Sequence, residues 1–278
     1  MIQKAEMAAN NRMGLIGKFR HWLTMPVGDR HALIRNRIQR LIGSFFAVGG
    51  GRLLAIYGAY QPDSYFLARQ HAEFSDLFNR FTVANRRNNG GDIPRLWSLI
   101  LNCKQVAAEK IPGDFAELGV WKGNSAAVLA HYAQQAGRSV YLFDTFSGFD
   151  PKDLLGVDSD KAMAFGDTSI ELVRDNVGRA AEVCRFVKGR FPDSLLEEHR
   201  ACSFAVVSVD CDLYEPMKAA LEFFYPRMPT GALFMLHDYS SCQWNGAKRA
   251  IDEFCSTRGE FLILIPDKSG SAFLRKSK

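Results

Sequence analysis

The sequence predicts an α/β fold. It consists of a mostly parallel seven-stranded sheet with helices on both faces, an antiparallel C-terminal hairpin and an α-helical N-terminal region. Three observations lead there. From Asp114 onward, short apolar runs alternate with helix-period segments, as in strands buried on both faces. The last two strand-like runs are joined by residues 266–271, too short a link for a helical crossover, so they must pair as a hairpin. Residues before Asp114 show helical spacing and no strand signal.

Element by element, Phe115–Val120 reads as the first strand and Asn124–Gln135 as a helix ended by Gly137. Val140–Asp144 is a strand ending in a carboxylate, and Ser169–Val177 is a helix. Val183–Val187 and Phe204–Val209 are strands, the second running into Asp210. Glu215–Tyr225 is a helix, Ala232–Leu236 a strand ending at His237-Asp238, and Ala247–Ser256 a helix. Phe261–Ile265 and Ala272–Arg275 form the hairpin. Upstream, Ala32–Phe46, Tyr65–Phe81 and Pro94–Lys110 read as helices. The expected division is residues 1–91 as a helical region, its first ~30 mobile, and 92–278 as the catalytic domain.

The net charge of +5 is uneven. Residues 1–50 hold eight basic side chains against Glu6 and Asp29, so the remainder is close to neutral. A core of that charge speaks against a nucleic-acid substrate, which needs clustered Lys and Arg. The six cysteines contain no C-x-x-C pair and fit reduced, packed thiols in a cytoplasmic protein. No apolar stretch is long enough to span a bilayer, and the N-terminus does not read as a signal peptide. Within the basic arm, Leu33, Arg37 and Leu41, and Ile34, Ile38 and Ile42, fall at helical spacing. Such a helix can touch an anionic membrane surface, or pack on a partner subunit or on the core.

The first strand runs into Glu117-Leu118-Gly119-Val120-Trp121-Lys122-Gly123-Asn124-Ser125. Glycines at 119 and 123 allow a tight strand-to-helix turn and close approach to a ligand. The E-x-G-x-x-x-G spacing is not that of a pyrophosphate cradle and suits a nucleoside with an amino-acid tail. Asp144, at the end of the next strand, is placed to accept hydrogen bonds from a ribose diol. The loop after the third strand, Gly189-Arg190-Phe191, falls near the adenine; Phe191 either stacks there or belongs to the core. The expected cofactor set is Glu117, Gly119, Gly123, Ser125, Asp144, Thr145, Gly189, Arg190, Phe191 and Asp210.

Asp210 and Asp238 end neighbouring strands, and Asp212 follows two residues after Asp210. Clustered carboxylates need a cation between them, and oxygen ligands at a wet site favour Mg²⁺. Alternatively, Asp212 caps the next helix and Asp238 is solvated. His237 suits a general base, a third metal ligand or a packed histidine. Ser147–Asp167 is a long connection that reads as a lid or a packed Ω-loop, with Phe146, Phe149 and Phe165 as an apolar wall.

ELGVWKGNS (117–125), YLFDTFSGF (141–149), VKGRFPDSL (187–195), DCDLYEP (210–216), and HDY with GAKRAIDEF (237–239, 246–254) resemble the macrocin O-methyltransferase family in order and spacing over about residues 92–276. The resemblance implies a Rossmann-like class I methyltransferase using S-adenosylmethionine and Mg²⁺ on the hydroxyl of a sugar or glycosylated small molecule, and a homo-oligomer. It implies a metal at Asp210 and Asp238, with Asp210 also the base. Relatives usually carry Asp where this chain has His237, and Arg-Gly-Gly where it has Lys122-Gly123-Asn124. The expected catalytic residues are thus Asp210 and His237, and the expected metal ligands Asp210, His237 and Asp238. The alternatives are a phenol, amine or lipid-linked glycan acceptor, or a non-catalytic nucleotide-binding module.

Overall fold

The computed structural model describes residues 72–277 and Ile34. The chain divides into two compact units, Met1–Gln70 and His71–Lys278. Residues 72–91 lie in the same compact unit as residues 92–278. The expected helix Ala32–Phe46, with its basic face, and the first part of Tyr65–Phe81 lie outside the described residues, Ile34 apart. No described helix is long and apolar enough to cross a membrane.

The described chain opens with α1 (Ala72–Phe78), a π-helical turn (Asn79–Val83) and α2 (Arg86–Asn89). Helix α3 (Ile93–Ala108) starts at Asp92, whose side chain accepts from the Arg95 amide, with Pro94 in the first turn. Leu96, Leu99, Ile100, Cys103 and Val106 form its buried stripe.

Then follow β1 (Asp114–Leu118), α4 (Asn124–Gln135) and β2 (Val140–Asp144). Next come α5 (Ile170–Val177), capped by the Ser169 side chain, β3 (Cys184–Lys188), α6 (Glu197–Arg200) and β4 (Phe204–Val209). The chain closes with α7 (Tyr214–Phe224), β5 (Leu233–Leu236), α8 (Asn245–Arg258), β6 (Ile263–Leu264) and β7 (Ala272–Arg275).

The strand order is β3-β2-β1-β4-β5-β7-β6. Strands β1 to β5 pair in parallel, and β7 runs antiparallel to both β5 and β6. The hairpin expectation therefore holds, with β7 inserted beside β5 and β6 left at the edge. Strand β6 is shorter than the expected Phe261–Ile265; Phe261, Ile263 and Leu264 are exposed, so no buried face extends it. Between β1 and β4 the winding of the sheet reverses. Ligands of such sheets sit outside the carboxyl ends of the strands at this reversal.

An aromatic cluster anchors the face under α7. Phe224 is fully buried, its ring centroid 5.0–5.8 Å from those of Phe143, Phe191, Phe204 and Phe223. These rings tie β2, β4 and the loop after β3 to α7, so the helix that follows Asp212 cannot shift without opening the core. Phe224→Ala is expected to lower the free energy of unfolding by about 3–5 kcal/mol, read from urea denaturation, because the cavity it leaves is walled by aromatic rings.

Candidate active site

The turn after β1 is held by two independent contacts. Gly119 has φ 84°, and a Cβ there would collide with the Asp210 carbonyl, so the end of β1 passes directly against the end of β4. Asp144 binds the same turn from the other side. Its Oδ2 accepts from the amides of Val120 (2.6 Å) and Trp121 (2.9 Å), and its Oδ1 from the Phe146 amide (2.7 Å). Thr145 Oγ1 lies 3.4 Å from Oδ1 but gives its one proton to the Gly148 carbonyl, so Oδ1 keeps room for a ligand hydroxyl. Gly123 has φ 77° and packs against Val173 of α5, so its role is steric.

Beyond β4 and β5, Asp210, Asp212 and Asp238 bring carboxylate oxygens within 4.8 Å of one another. Asp212 (φ 62°) and Asp238 (φ 61°) both take the left-handed backbone conformation, which turns their side chains inward at a cost in strain. Asp212 does not cap α7. The amide of Tyr214 donates instead to Asp158 Oδ2 at 2.7 Å. Burial and the neighbouring carboxylates push Asp212 and Asp238 well above the usual carboxylate range.

Arg95 supplies a cation to this cluster. Its Nη2 donates to Asp210 Oδ2 at 2.5 Å, and its side chain is 6% exposed. Burial opposes ionisation of Asp210, but the neighbouring His237 and the Arg95 guanidinium with its hydrogen bond together outweigh it and hold the carboxyl below its usual range. His237 stands behind Arg95. Ser271 Oγ donates to Asp267 Oδ2 (2.6 Å), so it accepts from His237 Nδ1–H (2.9 Å). Nε2 is left as the acceptor, 3.4 Å from Ser208 Oγ and 3.5 Å from Arg95 Nη2. Burial, reinforced by Arg95, pushes the imidazole down to about 4, so it is neutral at neutral pH.

A cleft of about 840 Å³ runs along these strand ends. Of the expected cofactor residues, Gly119, Ser125, Asp144, Thr145, Gly189, Phe191 and Asp210 line it. Phe191 is also a core residue, 3% exposed, so its two readings meet in one side chain. Arg190 is turned away into ion pairs with Asp153 (2.6 Å) and Asp193 (2.9 Å). Asp212 and Asp238 line the cleft; His237 lies behind it, and Asp212 stands in the carboxylate group where the sequence reading put His237.

The connection between β2 and α5 roofs the cleft. Phe149 and Phe165 line it with Trp121 and Trp244, at centroid separations of 5.3–6.4 Å. Phe146 points elsewhere, against Phe186. The connection is tied down along its length by Asp153 to Arg190, by Asp158 to the start of α7, and by Asp167 to Lys122 (2.6 Å) and Trp121 Nε1 (2.9 Å). Arg95, Asp267, Ser271, Trp121 and Trp244 escaped the sequence reading. The one available signal was the need for a cation among the carboxylates, and it did not say which residue.

Glu117, one residue before the end of β1, is fully buried, and neither carboxylate oxygen has a well-formed hydrogen bond. Burial pushes its pKa up to about 8, partly offset by Ser125 nearby. An exposed Glu titrates near ~4.3, so between those values the folded chain holds a proton that the unfolded chain releases. Glu117 therefore costs nothing below its unfolded pKa, and its cost grows as pH rises towards 8. Glu117→Gln removes that cost, so its gain in melting temperature over the ligand-free parent should be larger at pH 8 than at pH 5. Equal gains at both would show that Glu117 is not a buried acid.

Residues 64–265 match the macrocin O-methyltransferase (TylF) family. The 8-demethyl-8-(2,3-dimethoxy-alpha-L-rhamnosyl)-tetracenomycin-C 4'-O-methyltransferase of Streptomyces olivaceus is 33% identical over 164 residues, 53% of this chain and 61% of that protein, so the chain spans less than two thirds of its length. Demethyldecarbamoylnovobiocin O-methyltransferase of Streptomyces niveus is 30% identical over 192 residues, 60% of this chain and 71% of that protein. Among solved structures, the O-methyltransferase NovP superposes with TM-score 0.57 at 25% identity, over 67% of this chain and 81% of its own. Calicheamicin methyltransferase CalS11 shares the fold with TM-score 0.53 at 20% identity, over 74% of this chain and 93% of its own. The fold is that of the class I S-adenosylmethionine-dependent methyltransferases. With its glycine turn, its strand-end carboxylates and nearly three quarters of its length matched, the chain belongs to the macrocin O-methyltransferase family.

Proposed function

We propose that the protein is an S-adenosylmethionine-dependent O-methyltransferase that methylates a hydroxyl of a sugar or glycosylated small molecule with help from Mg²⁺. The observation that carries this reading is one cleft holding a glycine turn with its ribose-ready carboxylate, three clustered aspartates and an aromatic wall. The activities of the relatives support it: the Streptomyces olivaceus protein is named for a rhamnosyl tetracenomycin, and the Micromonospora griseorubida relative, 26% identical over 182 residues, is a mycinamicin III 3''-O-methyltransferase.

The residues present fit both groups. Gly119, whose missing Cβ lets β1 close against the Asp210 backbone, puts the glycine turn on the cleft wall, and Asp144 keeps an open acceptor for a ribose hydroxyl. Glu117 is buried beside Ser125, which lines the cleft, and does not itself reach it. Asp210, Asp212 and Asp238 offer oxygen only, three carboxyl groups beside one arginine, the donor chemistry of a hard divalent cation. When bound, the donor supplies an electrophilic methyl on sulfonium and Mg²⁺ acidifies the acceptor hydroxyl.

Asp210 faces the cleft and accepts the hydroxyl proton as the methyl is transferred; its low pKa makes it a competent base only towards an acidified hydroxyl. His237 does not reach the acceptor. It holds Arg95 in place from behind, which makes it a positioning residue. Phe149, Phe165, Trp121 and Trp244 exclude water and present flat faces to a sugar ring or its aglycone.

Calorimetry with S-adenosylhomocysteine should show one site, and Asp144→Ala should weaken it by roughly tenfold or more, the worth of a charge-assisted hydrogen bond to the ribose. Unchanged affinity would remove Asp144 from the cofactor site. In a methyl-transfer assay on deoxysugar glycosides, EDTA should abolish turnover, Mg²⁺ should restore it, and Asp238→Asn should lose it by at least ~100-fold. Turnover indifferent to EDTA would strike the metal from the mechanism.

A further inference from the structure

The Arg95 guanidinium is an incompletely satisfied cation. Beyond its 2.5 Å bond to Asp210, its Nη1 reaches only Asn89 Oδ1 at 3.4 Å and Ser269 Oγ at 3.5 Å, and its Nε has no partner. Three residues earlier, Asp92 is in the complementary state. Its Oδ1 accepts long bonds from the amides of Arg95 (3.4 Å) and Lys268 (3.3 Å), while its Oδ2 is buried with no partner at all. Buried polar atoms without partners are rare, and each calls for a reason. Here a cationic side chain with an open donor and a carboxyl with an open acceptor share the first turn of α3, and no hydrogen bond joins the two side chains.

Asp210 is meanwhile claimed twice. The oxygen that Arg95 holds belongs to the same carboxylate cluster that gathers Asp212 and Asp238. A divalent cation drawn to that cluster would compete with the guanidinium for Asp210 and repel it at short range in a dry site. The displaced Arg95 could not stay buried without a counter-charge. Asp92 Oδ2 offers one within the same helical turn.

We infer that Arg95 is a two-position counter-ion of the carboxylate cluster: it neutralises Asp210 when no divalent cation is bound and moves onto Asp92 when one is. Asp92 then tunes cation affinity from outside the ligand set, by giving the displaced arginine somewhere to go. The inference rests on the proposed Mg²⁺ site.

Titration of the full chain with Mn²⁺ and Mg²⁺, by calorimetry and by electron paramagnetic resonance of Mn²⁺, tests it without any acceptor. Arg95→Met should bind the cation roughly tenfold more tightly, the competing charge-assisted hydrogen bond being gone. Asp92→Asn should bind it several-fold more weakly. The double variant should match Arg95→Met, because Asp92 acts only through Arg95. Should Arg95→Met not fold, Asp92→Asn and the Arg95 side-chain ¹⁵N resonances of the parent protein decide: Mg²⁺ should shift those resonances, and Asp92→Asn should change the shifted position. Cation binding that needs Asp238 but is indifferent to both Arg95 and Asp92 overturns the inference and leaves the metal site standing. Binding that survives Asp238→Asn, or no binding to any variant, overturns both.

Discussion

The close crossing of β1 and β4 is the constraint on which the site depends. The Asp210 amide donates to the Leu118 carbonyl at 2.8 Å, and Gly119 lies against the Asp210 carbonyl. The ladder continues outward on both sides, from the Gly119 amide to the Phe143 carbonyl (3.0 Å) and from the His237 amide to the Val209 carbonyl (2.9 Å). Four strand ends are thereby locked in one row. The glycine turn, the Asp144 carboxylate, Asp210 and His237-Asp238 are consecutive stations along it. Because the backbone sets this row, the two halves of the cleft keep their spacing whatever occupies them.

That rigidity concentrates charge at a cost. Asp212 and Asp238 sit in a disfavoured backbone conformation, and buried carboxylates crowd one another with a single arginine among them. In its position on Asp210, Arg95 is backed by His237 at 3.5 Å, and His237 in turn by hydrogen bonds through Ser271 to Asp267 on the hairpin loop. The C-terminal hairpin does more than finish the sheet: it brings Asp267 and Ser271 to bear on the centre of the site. A fold without the reversed last strand would lack this support.

The parts legible in the sequence were those that follow from local rules. Apolar runs gave every strand of the sheet, and the short link 266–271 gave its antiparallel end. Gly119, Asp144, Asp210 and Asp238 were readable because each stands where a strand stops, and strand ends of such sheets converge. Arg95 was not. It sits on a helix before the first strand, in a segment with no motif, and only the packing of α3 against the sheet brings it to Asp210. Asp212 was visible, but its role turned on backbone geometry: a helix cap was one natural expectation, and the left-handed turn that carries Asp212 to the other carboxylates is not one. Trp121 lies inside the motif, whose spacing is carried by Gly119 and Gly123 and says nothing of the side chain between them; Trp244 reaches the cleft across a sequence distance that no local pattern spans.

The connection over the cleft reads differently once its moorings are counted. Asp158, almost fully buried, supplies the first-turn acceptor of α7, and Gly246 at the head of α8 has no Cβ because one would strike the Asp158 carboxylate. One aspartate thus stitches the roof to the start of two helices. A roof fastened in this way behaves as a fixed aperture rather than a swinging door. Phe149, Phe165 and Trp244 are then the replaceable part of the cleft's apolar wall, since none of the moorings of the frame runs through their rings.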